Sequence, residues 1–318
     1  MTAIFRPEGP LFRATEHAGG PWSPDMLQGS ATTALMTREV ERLADASGFA
    51  VRRLTFDLWR PAGLRAFGLA TEMLRDGRKA KTMQVRLLDG DVEIGRCTAL
   101  LTAQGDESPA DPFSKAAGGD VAPETGTPPP ALAQKWSRYF QNVSVRLIEG
   151  ALEKPGPAAV WMRLDVPMVE GESNTPLLQA VQAADFASGV GQIVDMREWT
   201  FINPEISLYF FRPPEGDWIL IRSRTRAGAN GAGLTMASLS DRKGAFVGLV
   251  ELGSGDIRPI HHEGSQLVGR QKHPHVIERP RHARLAQQHR HQPRRSTIGL
   301  HHVPAPVGDD GGKRLVPP

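Results

Sequence analysis

One carboxylate stands where a buried helix face should be apolar. Leu178, Val181 and Asp185 sit at i, i+3 and i+7, so Asp185 shares a stripe with two apolar side chains. A buried carboxylate is costly without partners. One that is held in place can take a proton from water or from a reacting group. The plainer reading is that Asp185 helps the chain turn through Ala187-Ser188-Gly189. A second candidate is Gln28-Gly29, at the start of another helix. The first amides of a helix lack internal partners and that end is partly positive. They could therefore stabilise an oxyanion, with Gly29 letting a ligand approach the backbone. An ordinary helix start fits these residues equally well.

The elements that must position these groups occur twice. A helix over 28–46 carries Ala31, Leu35, Met36, Val40, Leu43 and Ala44 at helical spacing. A strand over 50–59 follows, with Leu54, Phe56 and Leu58 alternating against Thr55 and Asp57. Strands near 64–75, 80–88 and 92–102 are then punctuated by Asp76-Gly77 and Asp89-Gly90. In the second half, Thr175 or Asn174 caps a helix with Pro176 in its first turn, running to about Ser188. Strands are expected at 142–149, 158–166, 199–212, 217–226 and 232–240, with another starting at Ala245. Arg60-Pro61 and Arg212-Pro213 stand 152 residues apart, as do Asp89 and Asp241. A repeat of that length is a duplicated domain, not a solenoid unit.

The boundaries read as a unit over 1–103, a linker over 104–132 rich in Pro, Gly and Asp, a unit over 133–248, and an atypical tail over 249–318. Residues 1–27 read as loops. The single cysteine, Cys97, rules out an internal disulfide and suits a reducing, cytoplasmic setting. No apolar run has the length of a signal peptide or a membrane span.

The tail carries the basic charge. Residues 249–318 hold 11 Lys+Arg against 6 Asp+Glu, and nine of the ten histidines. The histidines lack regular ligand spacing, so no metal site is expected. The tail has no Phe, Trp or Tyr for base stacking, so no nucleic-acid partner is expected. Its Arg-, His-, Pro- and Gln-rich composition begins abruptly mid-unit, after Gly248. It reads as a disordered extension or as a change of reading frame. Sequencing the locus tests the latter: an intact frame, with the same tail in close relatives, would sink it. The same break predicts a lost strand and an unpaired strand edge in the second sheet.

The first half carries Gly20-Pro21-Trp22, the Gln28-Gly29 helix start, and Leu54-Thr55-Phe56-Asp57-Leu58-Trp59-Arg60-Pro61. The second half carries Ala183-Ala184-Asp185-Phe186 and Trp199-Thr200-Phe201-Ile202-Asn203-Pro204, running into Phe211-Arg212-Pro213. Over about residues 10–248 this pattern resembles the thioesterase-like family related to acyl-CoA thioesterase II. The resemblance implies an α+β double hotdog fold, two long helices each wrapped by an antiparallel sheet. It implies hydrolysis of acyl-CoA by a water held by an aspartate, a small polar residue and a last-strand glutamine. Asp185 matches the aspartate. Asn203 matches the small polar residue, with Thr200 the fallback; the plain reading of Asn203 is a turn residue before Pro204. Gln28 and Gly29 match the substrate-binding helix start, although the family's glycine pair is not kept. No residue matches the glutamine. Trp22, Trp59 and Trp199 are expected in the core or in an interface. No cofactor is implied, coenzyme A being substrate, and assembly into a homo-oligomer is implied. The alternative is a non-catalytic acyl-CoA-binding or assembly module. A hydratase would want an Asp and His pair, and the body of the chain has only His17.

Overall fold

The computed structural model describes residues 2–104, 121–130, 136–196, 198–228, 232–253 and 258–259. Residues 1–262 form one compact unit; the rest of the chain, and with it most of the tail considered above, lies outside the described residues.

The chain opens with a hairpin, β1 (Phe5–Glu8) and β2 (Leu11–Ala14), where loops were expected. Helix α1 (Gly29–Ser47) follows and ends at Gly48, whose φ of 69° is the left-handed cap that glycine adopts without strain. Then come β3 (Phe49–Leu58), β4 (Ala66–Asp76), β5 (Ala80–Asp89) and β6 (Val92–Ala103). The second half holds β7 (Val143–Glu149), β8 (Ala158–Leu164), α2 (Pro176–Ala184), α3 (Ala187–Val190), β9 (Trp199–Thr200), β10 (Glu205–Phe210), β11 (Ile219–Ala227), β12 (Gly233–Asp241), β13 (Gly244–Gly253) and β14 (Arg258–Pro259).

Twelve strands make one antiparallel sheet in the order β1-β2-β4-β5-β6-β3-β10-β13-β12-β11-β8-β7. From its centre the order reads β3-β6-β5-β4 one way and β10-β13-β12-β11 the other, the same succession in each half. The seam is the β3–β10 pair, where Leu54 faces Leu208 and Phe56 faces Ile206. At that seam Thr55 and Ser207, 152 residues apart, face each other with their hydroxyls 3.1 Å apart. The offset is the same as that between the two Arg-Pro pairs, so a pseudo-two-fold axis passes beside these two residues.

Three expectations are corrected. The second helix is not one long element: α2 stops at Ala184 and a short α3 resumes at Ala187. The strand expected over 199–212 is two, β9 and β10, parted at Ile202-Asn203-Pro204. The strand after Lys243 does not fail at Gly248. Strand β13 runs to Gly253 and pairs with β10 as far as Leu252 and with β12 as far as Gly253, so the sheet keeps its hydrogen bonds there. Part of the expected linker is also packed, since Thr127 and Leu147 exchange backbone hydrogen bonds of 3.0 and 2.7 Å.

The core is one apolar cluster shared by both halves, with α1 and α2 packed together against the inner face of the sheet. Every residue of α2 from Leu177 to Ala184 is buried, as for a helix with neighbours on all sides. Its glutamines are paired there: Gln179 donates to the Leu164 carbonyl at 3.0 Å and accepts from its amide at 2.9 Å. Thr175 caps α2 as expected, accepting from the Leu178 amide at 3.1 Å, and its hydroxyl donates to Glu41 of α1 at 2.6 Å. At the far turn Arg212 clasps Asp241 with bonds of 2.6 and 2.7 Å. Burial acts to raise the Asp241 carboxyl, but Arg212 and the Glu215 and Lys243 amides outweigh it and hold the carboxyl below its usual range.

Glu41 yields a testable pH dependence. Burial raises its carboxyl to about 7, against the opposing Thr175 bond and with help from the Asp45 charge. The folded state therefore keeps a proton that the unfolded chain gives up near pH 4.5. Stability should fall as pH rises between these two values and level off above, with a slope of at most about 1.4 kcal/mol per pH unit. Urea unfolding of Glu41→Gln across this range should show that slope removed.

Candidate active site

The break after α2 turns Asp185 toward the N-terminus of α1. Its own carbonyl, which a continuing helix would use, accepts instead from Asn203 Nδ2 at 3.1 Å. Asn203 lies in the gap between β9 and β10, and its Oδ1 accepts from Ser188 Oγ at 3.0 Å. The helix interruption and the strand interruption thus satisfy each other.

The Asp185 side chain is 6% exposed and is surrounded by donors. Its Oδ2 accepts from Gln28 Nε2 at 2.9 Å and from Ser30 Oγ at 2.8 Å. Among the described residues its Oδ1 receives only a longer contact, 3.3 Å, from Asn203 Nδ2. An ionised carboxylate is an acceptor on both oxygens, and this donor set suits it. Gln28 precedes α1 but makes no side-chain cap to it. Its amide group reaches across to Asp185 instead, and its Oε1 is buried with no partner among the described residues.

Gly29 permits this approach. A Cβ at residue 29 would stand 2.4 Å from Asp185 Oδ1 and 2.9 Å from Oδ2, closer than atoms can pack. The carboxylate therefore lies directly against the first turn of α1, where backbone amides lack helical partners and favour negative charge. Tyr139, fully buried nearby, donates to Gln182 Oε1 at 3.4 Å. Burial, and secondarily the Asp185 charge, push its hydroxyl well above its usual range, so it stays a neutral donor.

Gln28, Gly29, Asp185, Ser188 and Asn203 line a cavity of about 280 Å³. Its walls are otherwise largely apolar and include Leu152, Met162, Phe186 and Val190. Trp22 and Phe201 meet edge to face at its margin, ring centres 5.6 Å apart. Trp22 and Trp59, expected in the core or in an interface, lie outside the core and line this cavity; Trp59 is 49% exposed. The Arg96 guanidinium lies over the Trp59 ring, 4.9 Å from its centre, and the cavity supplies the apolar surface that each indole would otherwise find in a core.

The four residues singled out from sequence, Asp185, Asn203, Gln28 and Gly29, converge here. Thr200 does not: it lies in β9, paired with Arg258. Sequence reasoning missed Ser30 and Ser188. Ser30 directly follows Gln28-Gly29, and a hydroxyl in the first turn of a helix was the available signal. For Ser188, which bonds residue 203, no local signal exists. No last-strand glutamine is present, since β13 contains none. Among the described residues no cluster of His, Cys, Asp or Glu could hold a metal ion, and no helix is long and apolar enough to cross a membrane.

With this geometry in view, the comparisons with known proteins are specific. Residues 18–103 match the acyl-CoA thioesterase N-terminal domain and residues 118–251 the acyl-CoA thioesterase C-terminal domain. The structure is similar to a hot dog fold protein of unknown function from Alicyclobacillus acidocaldarius, with a TM-score of 0.61 and 15% identity over 80% of this chain and 95% of that one. It is also similar to an acyl-CoA thioesterase II from Mycobacterium marinum, with a TM-score of 0.57 and 17% identity over 80% of this chain and 95% of that one. At such identities these likenesses show the hotdog fold. No curated protein matches the sequence.

The Gly29 contact can be tested by stability. Gly29→Ala should lower stability by about 1–3 kcal/mol through overpacking against Asp185. Gly189→Ala, where an added Cβ meets nothing within 4 Å, should be tolerated. Urea unfolding of the two variants checks the contrast.

Proposed function

We propose that this chain, which belongs to the acyl-CoA thioesterase family, hydrolyses acyl-CoA thioesters with a water activated by Asp185. The observation that carries the reading is the buried Asp185 carboxylate, fixed by Gln28, Ser30 and Asn203 at the edge of an apolar cavity.

The acyl group occupies the apolar cavity and brings the thioester carbonyl beside Asp185. Asp185 removes a proton from water as the water oxygen bonds to the carbonyl carbon. The oxyanion that forms is stabilised by the Gly29 amide in the first turn of α1, where the helix end is partly positive, the Gln28 amide being bonded to the Ala18 carbonyl. The carbon–sulfur bond then breaks and the thiolate takes the proton back from Asp185, giving a carboxylic acid and free coenzyme A. Asn203 acts by holding Asp185, since it bonds both its carbonyl and its carboxylate. No covalent acyl-enzyme is required. The coenzyme A moiety enters as part of the substrate and not as a cofactor, and the chain works in the cytoplasm as a homo-oligomer.

The test is hydrolysis of a panel of acyl-CoAs by the full chain and by Asp185→Asn. The expected result is turnover by the wild type and a loss of about 100- to 10,000-fold in kcat in the variant. Tight acyl-CoA binding without turnover in either protein would favour a non-catalytic acyl-binding module instead.

A further inference from the structure

We infer that the Gln28 side chain holds the attacking water together with Asp185, supplying from the first helix the acceptor that β13 lacks. The inference rests on the hydrolytic reading above and names how its nucleophile is held.

The orientation of the Gln28 amide follows from chemistry. A carboxylate only accepts, so the group facing Asp185 Oδ2 at 2.9 Å must be the NH2. The oxygen is then turned away from Asp185 and needs a donor. Of the buried side-chain atoms that lack a partner among the described residues, Gln28 Oε1 alone belongs to a residue lining the cavity. A buried acceptor left unpaired is destabilising, so a site that keeps one has a use for it.

The surrounding polar atoms are already engaged. Ser30 Oγ and Asn203 Nδ2 point at Asp185, and Asn203 Oδ1 accepts from Ser188. Two acceptors keep capacity: Gln28 Oε1, and Asp185 Oδ1 with its single long contact. A water in an otherwise apolar cavity needs at least two polar partners. Donating one hydrogen to each of these acceptors, it turns a lone pair toward the thioester carbonyl. Gln28 Oε1 is covered as the side chains stand, so the water enters with a small shift of the neighbouring groups. As its oxygen bonds to the carbonyl carbon, its proton passes to Asp185 and its remaining hydrogen stays bonded to Gln28.

The experiment compares wild type, Asp185→Asn, Gln28→Met and Gln28→Glu on one apolar acyl-CoA, with thermal midpoints measured alongside. Gln28→Met keeps length but cannot accept, and should lose about 100-fold in kcat with KM within about threefold. Gln28→Glu keeps an acceptor beside Asp185 but must share one proton with it. It should work at low pH and lose activity on the alkaline side, where the wild type retains its rate. Gln28→Met with native stability and unchanged kcat, or with its effect confined to KM, would overturn the inference while leaving the role of Asp185 intact. An inactive wild type would overturn both. If Gln28→Met does not fold, the alkaline limb of Gln28→Glu decides, and its absence counts against the inference.

Discussion

The structure around the cavity depends on one constraint: a carboxylate placed in an apolar interior must be surrounded by donors. Asp185 draws its donors from two segments far apart in sequence, one holding Gln28 and Ser30 and the other Asn203. Each element around the carboxylate gives up something local. Gln28 forgoes capping its own helix. Residue 29 forgoes a side chain, since any Cβ would strike the carboxylate. Helix α2 forgoes its next turn, because Asn203 takes the carbonyl that would have continued it. None of these departures is favourable by itself, and together they fix one oxygen of the carboxylate firmly and leave the other lightly held.

The duplication explains why one end of the molecule could specialise. The two halves pair through β3 and β10 about a pseudo-two-fold axis, so the helix starts at Gln28 and Thr175 occupy related places. Only the first opens onto the apolar cavity. At the second, Thr175 caps its own helix and is tied to Glu41, while Arg38 is paired with Glu172. The Arg-Pro pairs have diverged in the same way. Arg212 is locked to Asp241, whereas Arg60 lines the cavity and Asp89 pairs with Arg65. In each pair of features one copy makes a structural bond and the other lines the cavity.

Much of the fold was legible because the helix of 28–46 and the strands after it carry strong periods of 3.6 and 2. The repeat offset was legible too, and it reappears as the Thr55–Ser207 contact. The N-terminal hairpin was not, since Phe5-Arg6-Pro7-Glu8 is short and contains a proline tolerated only on an edge strand. The breaks at Asp185 and Asn203 were not, because each is stabilised by the other, 18 residues away. Asp185 itself stood out through the apolar company it keeps. Trp22 and Trp59 were placed no more closely than core or interface, because an indole suits a cavity wall as well as either, and sequence spacing does not separate them.

The seam between β3 and β10 also governs how the molecule is made. Strand β3 finds its second neighbour only in a segment about 150 residues later, and Gln28 meets Asp185 across 157. Contacts so distant in sequence slow folding, because loop closure precedes any gain from them. While the chain is being synthesised, β3 is an open edge, flanked by apolar residues and able to pair with the wrong strand. The bonds that Gln28 and Ser30 make to Asp185 span the two halves in the same way, so a chain with its second half unfolded lacks the assembled Asp185 cluster.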